Sequence, residues 1–377
     1  MHVADAEADV AEIFFGGEFA GELEILVGEI ELILHSVKNA ALEDEAVGLR
    51  IVVKTDFDDF EAQVEGVVIG AKGGEVDVVV FVLGSKLGGL AKGVDGGLKL
   101  IGAFEADVLH AHNIGALTVP MAALAHRLFR KRSRLVISPH HHAKGSKTHT
   151  RIAWLAYKPF AQKTLKDADK VHAVSSYEAS LLRRDFGIDP VLVPNGIGSD
   201  VFGYGWQPPQ GEAIITYAGR MERYKRVESL VRALSIAQKM TGRKARLRLT
   251  GSRDGVGAVM DLGRTLSVQI EQLGYLPRED YLTRLAGSTV LANVSRYEAY
   301  SLVTAEALAM GVPVVVSKPW GYAFLGPKTT RVDGEDVEEI AGALAQRILG
   351  SQEGMGGKIV VPTWRVTAKR IVEELYE

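Results

Sequence analysis

Three observations predict an α/β fold built from two parallel βαβ units. From about residue 107 onward, short apolar runs alternate with amphipathic stretches of helical length, the pattern of strands joined by crossover helices. The alternation breaks once, at 194–211, a stretch with five Gly and three Pro, and then restarts, as at a linker between domains. The chain has 377 residues, more than one ordinary core serves and enough for two domains.

The elements follow in order. In the first unit the sequence predicts strands over 107–112, 134–138, 170–174 and 191–194, with helices over 118–130, 154–165 and 177–186. In the second it predicts strands over 214–218, 246–250, 268–273, 290–293 and 312–317. The helices there are expected over 227–240, closed by Gly242, over 278–285 and over 301–311. An amphipathic helix over 364–376 comes last. In such sheets ligands gather at the carboxyl ends of strands, and a cleft between two units is the expected site.

Composition is globular: 47% hydrophobic, 24% charged, mean hydropathy +0.07. No run of about eighteen uncharged apolar residues occurs, so no transmembrane helix is expected. The acidic start, MHVADAEADVAE, is unlike a signal peptide. Cysteine is absent, which excludes disulfides and thiolate metal sites and makes the cytoplasm the expected location. Only four Asn and nine Gln are present, which suits a thermophilic source. In residues 1–105, 21 acids face 7 bases for a net −14, and in the remainder 26 acids face 37 bases for +11. A basic second half suits an anionic ligand. Residues 1–119 hold no Pro, Trp or Tyr, for which the sequence offers no physical reason.

The chemistry concentrates around the helix expected over 301–311. It carries one charge, Glu306, among apolar, small and hydroxyl residues. Such a helix is buried, and a buried carboxylate is costly unless it is paired. Glu298 stands eight residues earlier, in the loop leading in. A helix N-terminus takes an anion, and flanking carboxylates accept hydrogen bonds from hydroxyls. A nucleoside diphosphate sugar has that shape. Upstream, Tyr217-Ala-Gly-Arg-Met-Glu-Arg-Tyr-Lys225 follows a strand. Gly219 lets backbone approach a ligand, and Arg220 and Lys225 supply cations of the kind a diphosphate needs. The plainer readings are a solvated basic turn, and a structural Glu306 held by a neighbouring Arg.

The order of these features, a strand with Gly-Arg-x4-Lys, a strand with Gly, a Glu-x7-Glu helix and then Gly-Val-Pro-Val-Val-Val, resembles the retaining GT-B glycosyltransferases of family 4. The resemblance covers roughly 107–317 and the terminal helix, and Asp169 to Ser176 and Val193-Pro-Asn-Gly-Ile197 share it. It implies two Rossmann-like domains with parallel sheets facing a cleft, and a C-terminal helix returning to the N-domain. The domains would be an acceptor domain over 1–195, a linker over 196–211, a donor domain over 212–350, and a C-terminal segment over 351–377. It implies hexosyl transfer, of glucose or mannose type, from a nucleotide sugar with retention and with no obligatory metal or cofactor. Arg220 and Lys225 would then bind the donor diphosphate, and backbone near Ser301, Leu302 and Val303 would cap it. Glu306 would hold the ribose, and Glu298 would contact the sugar. His140 would stand beside the reacting sugar, and Tyr275 and Leu276, after Gly274, would lie at the base. Gly16, Gly17 and His112 are candidates on the acceptor side.

The sequence departs from the family at Glu298-Ala-Tyr-Ser301, where Glu-Gly-Phe-Gly is common, and at Lys318-Pro-Trp-Gly-Tyr322, where a Gly-Gly turn is common. A zinc site at the histidines is disfavoured, because three adjacent His cannot converge from a strand end. Asp56-Phe-Asp58 reads as a solvated turn. The expected partners are a nucleoside diphosphate sugar and an acceptor sugar, lipid or small polyol. The basic run 126–134 is a candidate peripheral membrane contact at the inner face; no motif for nucleic acid accompanies it. The rival functions are a nucleotide-sugar epimerase, a phosphorylase, and an inactive nucleotide-sugar-binding scaffold. The base, the sugar, the acceptor and the linkage are not legible in the sequence.

Overall fold

A computed structural model describes residues 49–54, 62–72, 75–84, 107–115, 118–128, 133–141, 148–251, 255–321, 328–350 and 359–377. Gly16, Gly17 and Asp56-Phe-Asp58 lie outside these. The first sheet has seven strands in the order β1-β3-β2-β4-β5-β6-β7. They are β1 (Leu49–Lys54), β2 (Ala62–Lys72), β3 (Glu75–Gly84), β4 (Val108–His112), β5 (Arg134–Ser138), β6 (Lys170–Ala173) and β7 (Val191–Leu192). Helices α1 (Thr118–Leu128), α2 (Thr148–Lys166) and α3 (Ser176–Phe186) connect the later strands.

The sequence predicts a parallel sheet, but this one is mixed: β2 runs antiparallel to both β3 and β4. The cause is local. Only Gly73 and Gly74 separate β2 from β3, and a two-residue connection can only fold the chain back beside itself. From β4 to β7 all pairs are parallel. The core beneath them joins Leu109, Ala111, Leu135 and Ile137 to Phe186 of α3.

The second sheet is parallel throughout, in the order β10-β9-β8-β11-β12-β13. Its elements are β8 (Ala213–Ala218), α4 (Val227–Thr241), β9 (Ala245–Thr250), α5 (Val256–Thr265), β10 (Gln269–Gly274), α6 (Arg278–Ala286), β11 (Val290–Asn293), α7 (Leu302–Met310), β12 (Val314–Ser317), the turn α8 (Lys318–Gly321), β13 (Thr329–Val332) and α9 (Val337–Ile348). All four residues of β11 and of β12 are buried, which explains the apolar runs 290–292 and 314–316 that open them. Gly242 and Gly311 close α4 and α7 in the left-handed conformation, at φ 64° and 87°, which an L side chain adopts only under strain.

The chain between the sheets is pinned rather than loose. Trp206 N–H donates to Met310 O at 2.9 Å and its indole donates to Ser288 O at 2.8 Å. The last segment, α10 (Trp364–Ile371) and the wider turn Val372–Tyr376, lies against the first sheet. Thr367 Oγ1 donates to Pro194 O, Arg370 Nη2 donates to Leu192 O, and Leu375 is buried with Val108 and Val136. Among the described residues, no helix is long and apolar enough to cross a membrane. Of the basic run 126–134, His126 and Arg127 end α1 and residues 129–132 lie outside the described ones.

Candidate active site

Three strands of the second sheet end in glycine. Gly219 follows β8 at φ 143°, Gly251 follows β9 at φ 111°, and Gly274 ends β10 at φ 69°. A Cβ on Gly251 would stand 2.5 Å from Gly219 O, so neighbouring strand ends meet backbone to backbone. Beyond Gly219 the chain makes a short 3-10 turn over Arg223–Lys225, which aims Lys225 inward.

Lys225 Nζ lies 2.7 Å from Glu298 Oε1, and both side chains are largely buried, at 15% and 12% exposure. Their loops are clamped by the residues just before them. Tyr224 and Tyr297 stack at 4.8 Å with 9° between their planes, and Arg296 N–H donates to Tyr224 O at 2.8 Å. Offset aromatic stacking of this kind fixes one loop on the other. On the other side, Trp320 of α8 is buried and donates through its indole to Ser295 O at 2.9 Å. The departure at Lys318-Pro-Trp-Gly thus supplies an anchor for the Glu298 loop.

Ser301 caps α7: its hydroxyl accepts from Thr304 N–H and from Asn293 Nδ2, the latter at 3.1 Å. Asn293 Oδ1 in turn accepts from the Ser295 hydroxyl at 2.6 Å. Leu302 and Val303 therefore sit in the first turn of a capped helix, where backbone N–H groups lack partners within the helix. Glu306 lies inside α7 and is 7% exposed. Arg278 Nη1 donates to its Oε1 and the Tyr281 hydroxyl to its Oε2, each at 2.6 Å. Burial, and then the neighbouring Glu306, push the Tyr281 hydroxyl well above its ordinary pKa, so it stays a donor.

At the facing ends of β4 and β5, His112 Nδ1 and His140 Nε2 lie 3.1 Å apart with their rings stacked. His140 has φ 48°, a conformation uncommon for histidine. Its loop is held by Glu178, whose Oε1 accepts from His141 N–H at 2.6 Å and whose Oε2 accepts from Val174 N–H at 2.8 Å. Burial raises the Glu178 carboxyl to about 7 against those two bonds. Behind His112 runs a buried chain. His172 Nε2 lies 2.7 Å from Val193 O, which only accepts, so neutral His172 has a bare Nδ1. The Ser138 hydroxyl then donates to His172, His110 Nε2–H donates to Ser138, and Tyr376 donates to His110 Nδ1. Burial first, and then the neighbouring histidines, hold His110 and His112 well below the usual range. His172 falls to about 4, chiefly through burial.

The structure therefore gathers Lys225, Glu298, Ser301, Leu302, Val303 and Glu306 around one helix end, and His112 with His140 at another strand end. The two sheets meet here: the Ser175 hydroxyl donates to Ala299 O at 2.5 Å. Arg220 is not drawn to Lys225; its side chain is 65% exposed and pairs with Glu222 at 3.2 Å. Tyr275 is 63% exposed beyond Gly274, and Leu276 is half-buried beside it. Among the described residues no three His, Asp or Glu side chains gather as metal ligands. Sequence reasoning missed Arg278, Tyr281, Asn293 and the Tyr224–Tyr297 stack. Arg278 did carry a signal, being a cation in the first turn of a helix, where the dipole disfavours it.

The chain matches two family descriptions, Glycosyltransferase Family 4 over residues 40–201 and Glycosyl transferases group 1 over residues 212–349. The D-inositol 3-phosphate glycosyltransferase of Rhodococcus erythropolis is 28% identical over 211 residues, 48% of this chain and 46% of that protein. The chain spans about half the length of the curated relatives it matches. Among solved structures, sucrose-phosphate synthase from Thermosynechococcus elongatus shares the fold at a TM-score of 0.64 and 19% identity, covering 93% of this chain and 89% of that one. The Anabaena HepE protein in complex with UDP-glucose does so at 0.58 and 18%, covering 78% and 80%.

Proposed function

Because the chain belongs to the GT-B glycosyltransferases of the family 4 type, we propose that it moves a hexose from a nucleoside diphosphate sugar to an acceptor hydroxyl. The hexose is of the glucose or mannose type, its configuration is retained, and no metal or other cofactor is obligatory. The observation that carries this reading is the buried Lys225–Glu298 pair at the capped N-terminus of α7, with Glu306 farther along the same helix. A diphosphate at that helix end meets a cation and free N–H groups together. The Rhodococcus relative bears the name of a glycosyltransferase, which favours glycosyl transfer, and HepE was solved with UDP-glucose, which favours a nucleotide-sugar donor.

In this reading the bond between the anomeric carbon and the diphosphate oxygen breaks while the acceptor oxygen bonds to the same face. The acceptor proton passes to the departing diphosphate. Lys225 and the α7 N-terminus stabilise the charge that develops there, and fixed donors in a water-poor site supply much of the rate. Arg220 joins them when a ligand is present. Glu298 holds the sugar and Glu306 the ribose, and Tyr275 and Leu276 lie at the base. His140 and His112 face the sugar from the first sheet. His112 Nε2 is buried with no partner among the described residues, which suits a ligand hydroxyl. The acceptor is a sugar, a lipid or a small polyol.

The test is turnover of UDP- and GDP-linked glucose and mannose with a panel of sugar phosphates, polyols and lipid acceptors in EDTA. The product is read by its anomeric proton coupling. Transfer with retained configuration is expected. Inversion overturns the mechanism, and isomerised donor without acceptor favours an epimerase.

A further inference from the structure

Glu306 is clamped more completely than burial alone requires. It receives one donor on each oxygen, and both donors come from α6, one turn apart: Arg278 on Oε1 and Tyr281 on Oε2. A carboxylate oxygen accepts two hydrogen bonds. One donor on each therefore fixes the carboxyl plane and leaves one accepting position per oxygen. Arg278 is itself held from behind, with Nε 2.9 Å and Nη2 3.3 Å from the two carboxylate oxygens of Asp200. Asp200 lies in the turn Ser199–Gly203, in the stretch between the two sheets. The guanidinium also stands over the Tyr281 ring, 5.7 Å from its centroid.

We propose that Arg278 and Tyr281 are positioning residues that hold the two remaining accepting positions of Glu306 toward the vicinal 2′- and 3′-hydroxyls of the donor ribose. Arg278 thereby sets how strongly the site prefers ribonucleotides to deoxyribonucleotides. This rests on the donor-site reading given above. The opposite possibility is a plug, in which Arg278 blocks Glu306 until ribose displaces it. Two features weigh against a plug. Each oxygen keeps an accepting position, and the Asp200 bonds hold the guanidinium in place from the side away from Glu306. Displacing Arg278 would also leave a carboxylate that is only 9% exposed without its cation, which costs more than a neutral hydroxyl returns.

The experiment is calorimetric titration of the full chain, as parent, Arg278→Gln and Tyr281→Phe, with UDP, GDP and ADP and with their 2′-deoxy counterparts. The parent is expected to prefer the ribo form of one base by about tenfold or more, the worth of a hydrogen bond to a charged group. Arg278→Gln is expected to cut that preference to about threefold or less while affinity for the deoxy form changes little, a pattern that general loss of structure does not produce. Tyr281→Phe, a smaller change, is expected to reduce the preference in the same direction. A parent that binds no nucleotide, or binds both forms equally, overturns the ribose reading and the proposal with it. A parent that discriminates, with an Arg278→Gln that discriminates equally, overturns the positioning role alone. Tighter ribonucleotide binding by Arg278→Gln makes Arg278 a plug and likewise overturns it.

Discussion

Lys225 and Glu298 each supply the counter-charge that makes the other tolerable below the surface. A diphosphate entering beside them adds a second anion to the same ammonium, which has three donors to share. Lys225→Ala is therefore expected to weaken nucleoside diphosphate binding by about tenfold to a hundredfold, the range for one charged hydrogen bond. Isothermal calorimetry with the free nucleotide measures it, and unchanged affinity removes Lys225 from the site. Glu298→Ala is expected to lower kcat more than donor affinity, because the proposed function gives it the sugar and not the nucleotide. Equal losses in kcat and in nucleotide affinity contradict that division. Arg220 shows what the sequence does not reveal about a single residue: its side chain is exposed and pairs with Glu222 rather than lying beside Lys225.

At the scale of elements, the strand ends of the second sheet depend on glycine. Gly251→Ala would set a Cβ 2.5 Å from Gly219 O at φ 111°. The expected cost is about 2 kcal/mol or more, read as a lowered denaturation midpoint with an unchanged m-value. Elements with strong local signals were legible in the sequence. β11 and β12 open on the apolar runs 290–292 and 314–316, and α7 has a Ser cap and a Gly stop. Helix α5 was not legible, because Gly257 and Gly263 lower its helical propensity. At Gly263 a Cβ would meet Ile270 Cδ1 at 2.4 Å, so a larger residue there would have to move the end of the Ile270 side chain. Helix α9 carries an Asp336 cap and Glu339 three residues later, a capping signal that was there to be read. β13 is a short edge strand with polar residues, and periodicity does not reveal such strands. One carboxylate in the loop before α7 and one buried inside it were legible in the Glu-x7-Glu spacing. The clamp on Glu306 was not, because Arg278 and Tyr281 reach it across the fold from another helix.

Over the whole molecule, the C-terminal segment ties the chain's end to the buried histidines of the first sheet. Leu375 is fully buried between Val108 and Val136, and Leu375→Ala is expected to cost about 2–5 kcal/mol, measured by denaturant unfolding. Tyr376, His110, Ser138 and His172 form one hydrogen-bonded chain whose proton positions follow from a single carbonyl, Val193 O. The folded pKa values of His110, His112 and His172 all lie below the ordinary value near 6.5. The unfolded chain therefore binds more protons than the folded one as pH falls below that value, and stability must fall with it. For His172 the loss is fully developed only below about 4. Glu178, raised to about 7, has the opposite sign: its contribution is present below its unfolded value near 4.5 and is lost as pH rises through 7. The histidines outnumber it, so the net expectation is a melting temperature that drops between pH 6.5 and 4. A flat profile across that window contradicts the neutral-histidine chain.

The most direct measurement is calorimetric titration of the protein with UDP, GDP and ADP in EDTA, run beside Glu306→Ala. One base series should bind at micromolar affinity, and Glu306→Ala should weaken it by about tenfold to a hundredfold. Binding by none of the three, or equal affinity in the variant and the parent, contradicts a nucleotide-sugar site at the Glu298–Glu306 helix.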